Sequence, residues 1–139
     1  MRLVIDDGGR EAAGYRGTAG DCVARAIAIA AELDYGEVYD ALAHFEGAIY
    51  GGPRSARNGV RRKSYDSLLE GLGWTWTPTM GIGTGCTVHL REDELPGGRL
   101  IVRVSKHVTA VVDGVIHDTH NPCRGGTRCV YGYWKKEEE

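Results

Sequence analysis

The stretch His107–Asp118, HVTAVVDGVIHD, constrains the fold more than any other part of this chain. Asp113-Gly114 stands between two apolar runs, and such a dipeptide favours the two-residue turn whose backbone matches the twist of paired strands. With those two residues as the loop, Val112 lies opposite Val115, Val111 opposite Ile116 and Thr109 opposite Asp118. Side chains alternate across a sheet. His107, Thr109 and Val111 therefore share a face with Ile116, Asp118 and His120, and Val108, Ala110, Val112, Val115 and His117 take the other. In this register His107 and Asp118 are diagonal neighbours, about 7–8 Å apart at Cα. A slip of one residue would move Asp118 to the opposite face.

The hairpin belongs to a larger change of pattern. Before Gly73 the apolar residues recur at helical spacing. DCVARAIAIAAEL places Val23, Ala26, Ile27 and Ala30 on one face, with Asp21 as expected N-cap. DYGEVYDALAHFE starts with Asp34 and Glu37 in capping-box spacing, and Val38, Leu42 and Phe45 lie on one side. A loop is expected over residues 47–63, then a third helix over SYDSLLEGL, with Ser64 as cap and Gly73 as stop. After Gly73 the period becomes two: WTWTPT, TVHL, RLIVRVS, HVTAVVD, VIHDT and CVYGYW read as strands, as does the segment 2–6. Helices first and an antiparallel sheet second make an α+β fold.

At 139 residues the chain fits one domain, residues 1–139, with a frayed tail expected over residues 135–139. A net charge of −2 gives no general attraction to nucleic acid or acidic membranes, so neither is expected as a partner. No apolar run approaches the ~18 residues of a membrane span, and the apolar stretch near the N-terminus is too short for a signal-peptide core. The expectation is a cytoplasmic protein. In that compartment Cys22, Cys86, Cys123 and Cys129 should be thiols or ligands rather than disulfides. The sequence has no C-x-x-C pair, the usual spacing of a structural zinc site, and no cofactor is expected.

Cys22 falls where a glycine-containing loop turns into the first helix. A helix N-terminus favours thiolate through its dipole and free N–H groups, and a neighbouring imidazolium favours it further. Asp21 acts in the opposite sense, unless its charge is taken up by backbone N–H groups. A cysteine opening a helix, a later histidine on a strand and an aspartate on the following strand make a set suited to covalent acyl transfer.

In that order and in the segments GDCVARA and KHVTAVVDGVIHDT, the chain resembles the papain-like cysteine peptidase superfamily, including its double-glycine leader peptidases. It is also similar to small phage and bacterial proteins with GDC and HDTH segments. The resemblance implies a papain-like α+β fold, its nucleophile helix first and its helices packed on a C-terminal antiparallel sheet. It implies a cysteine hydrolase or acyltransferase acting on an amide or isopeptide bond of a protein or peptide. Cys22 would be the nucleophile, His107 the general base and acid, and Asp118 the orienting residue. Papain-like enzymes usually carry a glutamine before the cysteine as an oxyanion donor, and this chain contains no glutamine. The Cys22 backbone N–H supplies one donor, and Tyr15, Arg16 and Thr18 are the candidates for another.

Two other readings use the same residues. Without a complete oxyanion hole, the fold would serve as a binding module for a bacterial or phage protein, as inhibitor or adaptor. Alternatively His107, Asp118 and His120 on one face would bind a metal. The basic run Arg54, Arg57, Arg61, Arg62 and Lys63 reads as a solvated loop, with contact to phosphates or an acidic partner as the alternative. Trp74, Trp76, Tyr131, Tyr133 and Trp134 read as sheet core. GIGTG at 81–85 is not followed by the Lys-Ser/Thr of a phosphate loop.

Overall fold

A computed structural model describes residues 1–15, 20–52, 55–57 and 59–136. Three helices, α1 (Cys22–Ala31), α2 (Tyr35–Tyr50) and α3 (Arg62–Gly71), precede five strands: β2 (Trp74–Pro78), β3 (Arg99–Val104), β4 (His107–Val112), β5 (Val115–Asp118) and β6 (Val130–Lys136). A short strand β1 (Leu3–Ile5) comes before them all. The fold is α+β, as the change of period predicts. The sheet order is β1-β5-β4-β3-β6-β2. All pairings are antiparallel except the outermost, where β1 lies parallel to β5. The sheet is therefore mixed, not purely antiparallel as expected, because the whole helical region separates β1 from β5 and returns the chain in the same direction.

Local sequence explains most element boundaries. The Asp34 carboxylate accepts the Glu37 N–H at 3.1 Å and starts α2. α2 runs to Tyr50, four residues past the expected end, and stops at Gly51, whose φ of +85° is readily adopted by glycine. α3 begins at Arg62, and its N-cap is Arg61 rather than Ser64, which is buried inside the helix. A tertiary contact sets this start: the buried Glu46 carboxylate on α2 accepts the Arg61 N–H at 2.8 Å. Asp21 precedes α1, but its side chain makes no capping bond.

Apolar layers cover both sheet faces. On one, Val23, Ala26, Ile27 and Ala30 of α1 pack with Leu42, Leu69, Ile101, Ala110 and Trp134. Four buried alanines in α1 keep that helix thin where it crosses the sheet centre. On the other, Leu100, Val102, Val104, Val111 and Ile116 are covered by Leu90 and Cys123 from connecting segments. Trp74 and Trp134 are buried, and Trp76 packs on Trp134 with ring centroids 5.6 Å apart. A Cβ at Gly132 would meet the Trp76 ring at 2.3 Å, so only glycine fits opposite that indole.

Three further expectations are corrected. TVHL forms a single bridge, His89 with Cys129, rather than a strand. β6 continues through Lys136, into the tail expected to fray, because β2 pairs with it up to that residue. Cys86 and Cys129 form a disulfide, their Cα atoms 5.7 Å apart, rather than two thiols. The bridge at His89 brings the two together. Cys22 and Cys123 are free. No helix among the described residues is long and apolar enough to cross a membrane.

Candidate active site

The expected hairpin forms. Val112 pairs with Val115, Val111 with Ile116 and Ala110 with His117, and Asp113 and Gly114 both take positive φ, +48° and +80°. His107 opens β4 and Asp118 closes β5, so antiparallel pairing sets them at the same end of the sheet. α1 packs on β4, and its first residue, Cys22, lines the same cleft as His107.

His107 Nε2 lies 2.7 Å from Asp118 Oδ2. That carboxylate is held on several sides. Thr109 Oγ1 donates to Oδ2 at 2.7 Å and the Thr119 N–H to Oδ1 at 2.7 Å. Arg25 Nη2 stands 3.8 Å from Oδ1. Burial tends to raise the Asp118 pKa, but the bonds from His107 and Thr109 and the His107 charge outweigh it and hold the carboxyl below the usual range. Burial likewise works against charge on His107, yet the bonds to Asp118 and Cys22 raise it to about 9. For Cys22, burial raises the thiol pKa. The facing His107, by hydrogen bond and charge, and then the Val108 backbone and the Arg25 charge bring it below its ordinary value. The His107 Nε2 is engaged by Asp118, so Nδ1 is the nitrogen left for the sulfur. Both shifts move the two groups toward a thiolate–imidazolium pair.

Asp21 does not act as expected. Its carboxylate is buried and receives Arg10 at 3.1 Å, Arg25, and the Tyr35 hydroxyl. Arg10 also donates to the Tyr35 oxygen at 2.7 Å. Burial and then the Asp21 bond push the Tyr35 pKa well up, so its hydroxyl stays protonated and donates. The charge beside Cys22 is thus matched by two guanidiniums. Arg25 joins Asp21 to Asp118 and so ties the start of α1 to the histidine's partner. Sequence reading missed Arg10, Arg25, Tyr35 and Thr109. Only the Asp21–Arg25 spacing of four and the position of Thr109 opposite Asp118 could have signalled them.

Among the oxyanion candidates, Tyr15 packs against Tyr35 and Tyr39, ring centroids 5.1 and 4.7 Å away, and is not among the described residues that line the cleft. Arg16 and Thr18 lie outside the described residues. The candidate metal set also comes together: His107, Asp118 and His120 offer ligand atoms within 4.8 Å of one another. A metal there would compete with the 2.7 Å His107–Asp118 bond, and His120, with 58% of its side chain exposed, stands 3.9 Å from Asp118. His117 turns instead to Asp6, at 3.6 Å. A second group, Cys86, His89 and Cys129, is equally close but its sulfurs are in the disulfide. The spacing C-x-x-H in CTVH was its only sequence signal.

The cleft over Cys22 has a volume of about 530 Å³. A cavity of about 520 Å³ beside Leu33, Leu72 and Trp74 has neither cysteine nor histidine in its wall. No family model, curated protein or solved structure matches this chain.

Proposed function

We propose that the protein is a papain-like cysteine hydrolase or acyltransferase that acts on an amide or isopeptide bond of a protein or peptide. The observation that carries this reading is a cysteine at a helix N-terminus, its pKa lowered by a histidine that is itself 2.7 Å from a buried carboxylate. The Cys22 thiolate attacks the carbonyl carbon. The Cys22 N–H faces the developing oxyanion. The His107 imidazolium gives its Nδ1 proton to the leaving nitrogen as the C–N bond breaks, leaving a thioester. Neutral His107 then takes a proton from water or an amine, which attacks the thioester and expels Cys22. Asp118, held as a carboxylate, orients the ring and stabilises its cationic form without taking the proton.

The absence of glutamine favours a second reading, in which the same cleft only binds a protein partner. Reaction with p-nitrophenyl acetate separates the two. The enzyme reading expects an acetyl adduct on Cys22 by intact and peptide mass, followed by continuing turnover, both absent in Cys22→Ser. Absence of the adduct in wild type rejects the enzyme reading. An adduct that is never turned over supports the binding module.

A further inference from the structure

The wall of the Cys22 cleft is one-sided in charge. Arg25, Arg62, Arg103 and Lys106 line it, and among the described residues no aspartate or glutamate does. This contrasts with a chain that carries 19 acidic against 17 basic residues. Two of the four cations are already matched. Arg25 is held by Asp21 and Asp118, and Arg62 lies 3.3 Å from Asp66. Arg103 and Lys106 have no ion pair among the described residues. Arg103 lies over the Tyr131 ring, 5.8 Å from its centroid, and Lys106 is exposed on the β3–β4 turn, immediately before His107. The Asp66 charge reaches Arg103 as well, without an ion pair, so an anion entering the cleft meets the positive charge of Lys106 and the partly offset charge of Arg103 beside Cys22, in a concave site where such charge is less screened than on open surface.

The cleft also has a direction. A second cavity of about 310 Å³ is lined by Arg62, Arg103 and Tyr131 together with Trp76, Pro78 and Met80. The first three residues line both cavities, so the groove runs from Cys22 past the cations to an end walled by Trp76, Pro78 and Met80, where the Arg62 guanidinium lies over the Trp76 ring, 4.9 Å from its centroid. A chain-terminal carboxylate would end at the cations and leave the far end unfilled.

Resting on the cysteine-nucleophile reading, we propose that Arg103 and Lys106 form an anion-binding subsite for an acidic side chain of an extended peptide. The acidic residue flanks the attacked carbonyl, and an apolar residue beyond it occupies the Trp76–Met80 end.

The test uses two measurements. In the first, acetylated hexapeptides of alanine and leucine, with glutamate, glutamine or lysine scanned through the positions and the C-terminus either amidated or free, are titrated into the unreactive Cys22→Ser protein. Glutamate peptides are expected to bind at least tenfold tighter than glutamine ones. Arg103→Gln with Lys106→Gln should abolish the difference, and raised salt should shrink it. Equal binding of all three peptides overturns the subsite. Tight binding confined to peptides with a free C-terminal carboxylate overturns the side-chain assignment. The second compares alkylation of wild-type Cys22 by iodoacetate and iodoacetamide, against the same ratio for N-acetylcysteine. A ratio raised several-fold, and lowered by the double variant, supports the subsite. A ratio equal to that of N-acetylcysteine contradicts it. Should Cys22 be inert to both reagents while glutamate peptides bind selectively, the subsite stands and the nucleophile reading falls.

Discussion

At the scale of single residues, Asp118 has two duties. It accepts from His107, Thr109 and the Thr119 N–H, and its negative charge keeps His107 protonated. Asp118→Asn keeps the shape and removes the charge. The His107 pKa, followed by NMR of the ring protons, should then fall from about 9 toward the ordinary 6.5. Turnover of an acyl substrate should drop by about two to four orders of magnitude, by analogy with other triad aspartates. An unchanged His107 pKa would mean that burial and Cys22, not Asp118, govern the ring. Thr109→Val should act in the same direction and more weakly. It removes one bond to the carboxylate, and leaving such a buried group unsatisfied costs about 1–3 kcal/mol, readable by denaturant titration.

Between elements, the decisive contact is the Asp21 cluster. One carboxylate gathers Arg10 from the N-terminal loop, Arg25 from α1 and Tyr35 from α2. Asp21→Asn leaves the buried Arg10 guanidinium facing a neutral group and leaves the half-buried Arg25 only its longer contact with Asp118. Breaking a buried ion pair in this way costs about 3–5 kcal/mol, so the variant should melt well below wild type in calorimetry. A melting temperature within a degree of wild type would show that the cluster does not hold these elements together. Only Arg25, four residues on, left a trace of this cluster in the sequence; Arg10 and Tyr35 are 11 and 14 residues from Asp21 and meet it only after α1 and α2 pack. The same holds for α3, whose start depends on Glu46 from a different helix. The hairpin was legible because its register follows from one dipeptide turn and side-chain alternation. Those two facts bring His107 to Asp118 without any long-range information. The approach of Cys22 to them was legible only as an order of residues. The Cys86–Cys129 pairing, across 43 positions, left no local trace beyond CTVH.

For the whole molecule, the disulfide and the ion pair both leave marks on stability. Closing a loop of 43 residues restricts the unfolded chain by about 4 kcal/mol in the chain-entropy account. Unfolding in denaturant with and without a reductant should therefore differ by roughly that amount, and Cys86→Ser should abolish the difference. An identical midpoint under both conditions would remove the disulfide from the account. The ion pair predicts a pH signature. Between pH 6.5 and about 9 the folded His107 keeps a proton that the unfolded chain has lost, so its contribution falls as pH rises. Cys22 works in reverse, because its folded thiolate has released a proton that an unfolded thiol keeps until about pH 9. The two slopes oppose each other, so wild-type stability should fall less steeply over this range than His107 alone would make it. In Cys22→Ser the Cys22 slope is gone and the Asp118 bond still raises the His107 pKa, so the melting temperature should decline as pH rises above 6.5. Parallel pH profiles for the two proteins would contradict a coupled pair.

A reactive Cys22–His107 pair is visible in the pH dependence of Cys22 alkylation, which needs no substrate. Iodoacetamide rates, resolved by site with mass spectrometry, should be measured from pH 5 to pH 10 on wild type and on His107→Ala, with Cys123 as internal reference. The account predicts that wild-type Cys22 reacts fastest at neutral pH, with a midpoint below that of an ordinary thiol, and that His107→Ala returns the midpoint to the ordinary range or above. A Cys22 as slow as Cys123 at neutral pH, or a profile indifferent to His107→Ala, would contradict it.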